Sequence, residues 1–405
     1  DGFHEFNSPT YTPVTLFGME AAWHYTQNDT FKRRLCRTMD TINYQLALNI
    51  MPNGFLGGAP SRAYQGDAIQ GTGFSAYHAH IKFGTPCPTV SEDTPLSYLN
   101  LTLFDYGPSK VTRQLAHTKP ELSVIQDRGV SLSSTRTHIL TPRFSLASQS
   151  VDSIGGHSPP SYILLVRDSD SRRRSVPFLP DESFLHQPCA TFRSQQIQTP
   201  SGSVAFGRLH YEFGDTPRQK FLDDPTFQCE PHVLFGLRED ITSIWVGNVH
   251  WGGERCRLLP DQPVTVSYGD LLLGVSLRSL APKPGSDQGH AWIEWGEDNE
   301  LRLMMRIHGG MGLALEDEPV DFLALFEVRV EERESTHKRF AEHMRLWEQT
   351  TTDDSFQAKH ADGTQLSYSA VLDPLDGALH VSPDLTLRPG DLEKIVNGER
   401  SVSFV

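Results

Sequence analysis

The chain is poor in cysteine, with five in 405 residues: Cys36, Cys87, Cys189, Cys229 and Cys256. None forms a C-x-x-C pair, which excludes a zinc knuckle and a thioredoxin-like motif, and the odd count leaves the redox compartment open. No apolar run is long enough to span a membrane. Basic residues are in deficit, 36 Lys and Arg against 50 Asp and Glu, for a formal net charge of -14. General binders of nucleic acid or anionic membranes need a basic face, so neither partner is expected. There is no serine nucleophile elbow and no dinucleotide fingerprint. His308-Gly309-Gly310-Met311-Gly312 lacks the Lys-Ser/Thr ending of a phosphate loop. No internal repeat is visible. No signal pattern opens the chain, which begins Asp1-Gly2-Phe3; that start is compatible with an export signal already removed.

Hydrophobic residues at 38% and aromatics at 10% are enough to build a core. Apolar periodicity divides the chain near residue 118 into a short helical part and a long β-rich part. Residues 12–28 read as a helix, with Leu16, Met19, Ala22 and Trp23 on one face. Asn28-Asp29-Thr30 then supplies a turn and cap, and 30–50 read as a second helix carrying Leu35, Met39, Ile42, Leu46 and Ile50. Pro52-Asn53-Gly54 ends it, giving an αα-hairpin. The stretch 57–64 is too rich in Gly and Pro for a helix. Residues 67–83, 94–105 and 109–117 can be helical again. An array of such hairpins describes part of a helical toroid, too short for a complete one.

From about residue 121 short β-branched or aromatic runs take over, at 162–166, 204–209, 244–249, 271–275, 291–295 and 322–326. Asp362-Gly363 and Asp376-Gly377 are hairpin turns. Many strands without alternating helices predict an antiparallel sandwich. One helix interrupts it near 336–349, with Phe340, His343, Met344 and Trp347 on a face. The expected fold is therefore α+β in two parts: residues 1–118 an α/α-hairpin portion of a toroid, and residues 119–405 a large antiparallel β-sandwich. The acidic stretches at 316–318 and 331–334 read as exposed faces.

Phe6-Asn7-Ser8-Pro9-Thr10-Tyr11 leading into a helix, with Gly57-Gly58-Ala59-Pro60-Ser61-Arg62-Ala63-Tyr64 after the next one, resembles heparinase II/III-like and related toroid-plus-sandwich proteins over residues 3–67. In that group an (α/α) toroid precedes a large antiparallel β-sandwich, and many members are polysaccharide lyases. The sandwich half departs from the group: it lacks a Gly-His-rich metal and substrate motif, for which Gly289-His290 is too little. The resemblance implies a polysaccharide or oligosaccharide substrate and no cofactor or metal. It also implies that the opening segment falls inside a toroid, to be completed by an upstream fragment or a second chain. An extracytoplasmic or secreted location is the expectation for such an enzyme.

A lyase acting on uronic acids must neutralise a carboxylate, remove the adjacent proton and protonate the leaving oxygen. Asn7 and Arg62 suit the first task, Arg through a bidentate grip. Tyr11, Tyr64 and His80 compete for the proton transfers. Tyr77 and His80, three residues apart, are expected on one helix face with His78 pointing elsewhere. Glu5, Tyr77, His250 and Trp251 are the candidate substrate contacts, Trp251 as a stacking platform. Each has a plainer role as well. Asn7-Ser8-Pro9 makes a good helix cap, Arg62 can brace Asp67, and Trp251 can pack in the core. A glycoside hydrolase would instead need two carboxyl groups across a cleft, for which Glu5 and Asp67 are the candidates, with Glu20 read as a solvated mid-helix acid. A non-catalytic glycan-binding protein is the third alternative.

Overall fold

The computed structural model describes residues 10–57, 73–88, 102–119, 123–128, 135–149, 163–167, 175–179, 190–199, 202–213, 232–259, 261–279, 291–305, 320–332, 336–351, 355–369, 393–396 and 399–401. The chain has a helical start followed by antiparallel strands, a mixed α+β organisation.

Helix α1 (Tyr11–Tyr25) and helix α2 (Asp29–Asn49) form the hairpin. Pro13 lies in the first turn of α1, where its missing N–H costs no intrahelical bond. Asn28 caps α2 by accepting a 3.0 Å hydrogen bond from the Phe31 N–H. Leu16 of α1 packs with Met39, Ile42 and Tyr106, and Leu46 one turn further joins a second cluster with Ala79, Phe83 and Ala116. A turn at Gly54 (φ 87°) then folds the chain back so that Leu56 bridges Ile50. A side chain at Gly54 would meet Thr85 Oγ1 at 3.1 Å, so glycine is required there twice over.

Of the expected helix at 67–83, residues 67–72 lie outside the described residues. Its described part is α3 (Phe74–His78), which widens into a π-helical turn (Ala79–Phe83) and stops at Gly84 (φ 80°). Of the expected helix at 94–105, residues 94–101 lie outside the described residues, and 102–105 form no helix beyond a single turn. Helix α4 (Lys110–His117) matches its expected span and is capped by Ser109.

Three polar links tie the helical part to the β-rich part and the segment leading into it. Lys119 Nζ donates to Ala47 O at 2.6 Å and Leu115 O at 2.7 Å. His138 Nδ1 bonds Asn49 Oδ1 at 2.7 Å, and Ser145 Oγ donates to Gly57 O at 2.6 Å.

The strands are β1 (Ser123–Arg128), β2 (Thr135–Leu140), β3 (Phe144–Gln149), β4 (Ile163–Arg167), β5 (Ser175–Leu179), β6 (Ala190–Thr199), β7 (Ser203–Phe213), β8 (His232–Leu237), β9 (Ser243–Val246), β10 (Val249–His250), β11 (Cys256–Arg257), β12 (Val264–Tyr268), β13 (Leu271–Ser279), β14 (Ala291–Trp295), β15 (Glu300–Met305), β16 (Val320–Glu332), β17 (Trp347–Thr351), β18 (Ser355–His360), β19 (Gln365–Ser369), β20 (Glu393–Val396) and β21 (Glu399–Ser401). They form an 11-stranded sheet ordered β11-β14-β15-β8-β5-β4-β3-β2-β1-β20-β21, a 7-stranded sheet ordered β10-β9-β12-β13-β16-β7-β6, and a 3-stranded sheet β17-β18-β19. One apolar cluster draws on both larger sheets, with Leu146, Val233, Ile293 and Leu303 from the first and Val264, Leu273, Phe326 and Val328 from the second.

Strand alternation decides what lies on the other face of the 7-stranded sheet. Leu271, Leu273 and Val275 of β13 enter that core, while Leu272 packs instead with Phe340 and Met344 around helix α5 (His337–His343). Gly274 lies under α5, where a Cβ would collide with Met344 and the Phe340 ring. Along β16, Phe326, Val328 and Val330 face the core, and the intervening Glu327, Arg329 and Glu331 take the side of α5. Trp347, expected on the helix with Phe340, is instead the first residue of β17, because α5 stops at His343. The Asp362-Gly363 turn joins β18 to β19 as expected, and Asp376-Gly377 lies outside the described residues.

Candidate functional site

Of the residues expected to act on a glycan, Glu5, Asn7, Arg62, Tyr64 and Asp67 lie outside the described residues. Tyr11 opens α1 and is 45% exposed. Tyr77 and His80 do not share one environment. The π-helical turn begins between them, and its wider coil breaks the 100° step on which i,i+3 pairing rests. Tyr77 is buried, whereas His80 is half-buried.

His80 Nδ1 lies 2.7 Å from the carbonyl oxygen of Thr85. A carbonyl only accepts, so Nδ1 carries the ring proton of the neutral imidazole and Nε2 holds the lone pair. The turn itself sets this tautomer. Gly84 reverses the chain in the left-handed region and brings Thr85 back over the ring. His117 Nε2 similarly donates to Phe83 O at 2.8 Å, steadying the same turn.

The helical part also buries polar side chains. His78 is fully buried, and Asn43 Oδ1 is 2.8 Å from its Nε2. Burial, reinforced by the charge of Lys82, lowers its pKa to about 3 and keeps the ring neutral. Glu20, expected as a solvated acid, is wholly buried because it faces the π-helical turn; it takes the Lys82 ammonium at 2.7 Å. Its carboxyl is pushed up by burial, with Lys82 pulling the other way. The Tyr106 hydroxyl donates to Asp40 at 2.6 Å, and burial first, then Asp40, pushes its pKa up.

In the β-rich part, His250 lies on exposed β10 with its ring edge-on to Trp245 at 5.6 Å. Trp251 is in the core, as its plainer role requires: it is 9% exposed, lies against Trp295 and donates from Nε1 to Glu254 O. A ring so placed offers no stacking platform.

Among the described residues, a cluster of ionisable side chains around Arg329 escaped sequence reasoning. Arg329 is 2% exposed and fans out to Glu327 Oε1 at 3.3 Å, Asp362 Oδ2 at 3.4 Å and Glu331 Oε1 at 3.8 Å. The Trp347 indole donates to the other Glu327 oxygen at 2.9 Å. His360 and His343 stack at 5.1 Å, and His343 Nδ1 faces Glu331 Oε1 at 3.4 Å. Burial drives the Glu327 carboxyl up against the pull of Arg329. Burial acts the same way on Asp362, but hydrogen bonds from Thr364 and His360 outweigh it and hold that carboxyl at about 2. The signal was the alternation Phe326-Glu327-Val328-Arg329-Val330-Glu331, whose charged members share a face. Glu331, read as exposed, is in fact drawn in by Arg329 and His343.

No family model matches the chain, and no curated protein matches it.

Proposed function

We propose that the protein is a polysaccharide lyase that cleaves a uronic-acid-containing glycan by β-elimination. The observation that carries the proposal is the fixed tautomer of His80, whose Nε2 lone pair belongs to a half-buried ring. A π-helical turn at that position adds support, since such turns gather at functional sites. In this scheme Asn7 and Arg62 hold the substrate carboxylate and stabilise the charge that spreads onto it. His80 Nε2 takes the proton from the carbon beside the carboxylate. The electron pair left behind forms the new double bond as the glycosidic C–O bond breaks. Tyr11, exposed at the start of α1, or Tyr64 gives its proton to the departing oxygen. The αα-hairpin serves as a piece of a toroid, and the two large antiparallel sheets with their shared core serve as the sandwich behind it.

A panel of uronic-acid polymers, followed by ultraviolet absorbance of the unsaturated product, tests the scheme. His80→Gln is expected to lower kcat by about 10²–10⁴-fold with an unchanged circular-dichroism spectrum. New reducing ends without that absorbance would replace the lyase with a hydrolase. Full activity in His80→Gln would remove His80 from the chemistry.

A further inference from the structure

The cluster beneath α5 sets an imidazole nitrogen and a carboxylate oxygen side by side. His360 is buried, and its Nε2 lies 3.1 Å from the backbone oxygen of His343, which can only accept. Arg329 Nη2, a donor, lies 3.5 Å from the same nitrogen, so either ring nitrogen can carry the proton. His360 Nδ1 lies 2.9 Å from Asp362 Oδ1, a carboxylate oxygen. The Asp362 backbone N–H also points at the same nitrogen, from a longer 3.2 Å. With the ring proton on Nδ1 this contact is a hydrogen bond to Asp362; with the proton on Nε2 it is a pair of donors for a metal ion.

Three features favour the metal. Two donors bound about 2.1 Å from one ion stand about 3.0–3.4 Å apart at octahedral or tetrahedral angles, close to the spacing seen here. A third donor is at hand, since ligand atoms of His343, His360 and Asp362 all lie within 4.8 Å of one another. The surroundings also resemble the outer shell of a metal site, in which each ligating histidine gives its other N–H to a carbonyl or carboxylate. His360 has the His343 carbonyl, and His343 has Glu331 at 3.4 Å from Nδ1. The local charge is compatible with a further cation. Glu327, Glu331 and Asp362 face the single guanidinium of Arg329, which occupies Asp362 Oδ2 and leaves Oδ1 to the imidazole.

We propose that His343, His360 and Asp362 bind one divalent ion of the zinc class, with Glu331 orienting His343. Two nitrogens and one oxygen suit zinc and its neighbours better than calcium or magnesium, which prefer oxygen alone. The ion clamps α5 and the β18–β19 hairpin onto β16. It is independent of glycan cleavage, and its test reads metal rather than activity.

The test uses the full chain, stripped with chelator and dialysed, then titrated with Zn²⁺ and, for its visible spectrum, Co²⁺. One zinc per chain by native mass spectrometry is expected, together with cobalt absorption bands from nitrogen and oxygen ligands and a thermal midpoint raised by several degrees. Asp362→Asn and His343→Ala should each weaken zinc binding about tenfold or more. His343 is 37% exposed on its side chain, so its alanine variant removes little core. Should either variant fail to fold, stoichiometry and the cobalt spectrum of the unaltered chain decide alone. Absence of stoichiometric zinc, or binding unchanged in both variants, overturns the site and leaves the contact between His360 and Asp362 as a hydrogen bond.

Discussion

The helical part and the β-rich part each bury a cation, and they do so differently. In the first, Lys82 meets one carboxylate, Glu20, and one backbone oxygen, that of Tyr106 at 3.0 Å. The second Glu20 oxygen, Oε1, is buried without a hydrogen bond among the described residues. In the second, Arg329 has three carboxylates around it, and Glu327 spends its remaining oxygen on Trp347. One is a pair inserted between helices, where an ammonium acts as a point charge. The other is a hub, where a planar guanidinium serves several acceptors at once. A pair can be exchanged for apolar residues as a unit; a hub cannot, because removing it strands every spoke.

That contrast gives the largest expected effect. Arg329→Met should destabilise the chain by about 3–5 kcal/mol and Lys82→Met by about 3 kcal/mol, since each leaves a buried carboxylate uncompensated. The double variants separate the two cases. Glu20→Leu with Lys82→Met should return to within about 1 kcal/mol of the original stability, as apolar replacements of buried pairs often do. Glu327→Leu with Arg329→Met should stay well below it, because Asp362 and Glu331 then lose the guanidinium between them. Urea unfolding measures all four. Equal recovery in both double variants would erase the distinction between pair and hub.

The next effect belongs to the helical part alone. His78 has a folded pKa near 3, below its ordinary value of 6.5, because burial and the nearby Lys82 disfavour the charged ring. Between those values the unfolded chain binds a proton that the folded chain refuses, so stability rises with pH across that window. His78 thus contributes stability that is complete above about pH 6.5 and is lost on acidification, at a slope on the order of 1 kcal/mol per pH unit. Thermal midpoints of the native chain and of His78→Gln from pH 7 to pH 4 provide the check. The variant should lose the steeper part of the acid dependence, and parallel curves would show that His78 titrates normally.

Why sequence reasoning found the hairpin and missed both cations comes down to the distances involved. The α2 boundaries were legible because Asn28 and the Pro52–Gly54 turn act within five residues of the helix ends. The strands at 271–275 and 291–295 were legible because alternation is a local property. The Glu20–Lys82 pair joins residues 62 apart, and His360 reaches Arg329 across 31. Nothing local distinguishes such a carboxylate from a solvated one, so Glu20 read as exposed. The π-helical turn was invisible for a related reason: one widened coil leaves the composition unchanged but rotates His80 away from Tyr77. Of the candidate site, Tyr11, Tyr77, His80, His250 and Trp251 fall among the described residues, and of these only Trp251 and Tyr77 are interior.

The smallest expected effect compares two hydrogen bonds to carboxylates, one in each part. Tyr106→Phe removes the hydroxyl that donates to Asp40, and Trp347→Phe removes the indole N–H that donates to Glu327. The bonds are nearly equal in length, 2.6 Å and 2.9 Å, so length alone predicts similar losses. Exposure predicts otherwise. Asp40 is half-buried and can exchange the phenol for water, while Glu327 is fully enclosed and cannot. Tyr106→Phe should therefore cost about 0.5–1 kcal/mol and Trp347→Phe about 2–3 kcal/mol, the latter including packing lost with the larger ring. Chemical denaturation of both variants resolves a gap of that size. A larger loss for Tyr106→Phe would mean that water does not reach Asp40 and that the helical interior is as tightly closed as the hub around Arg329.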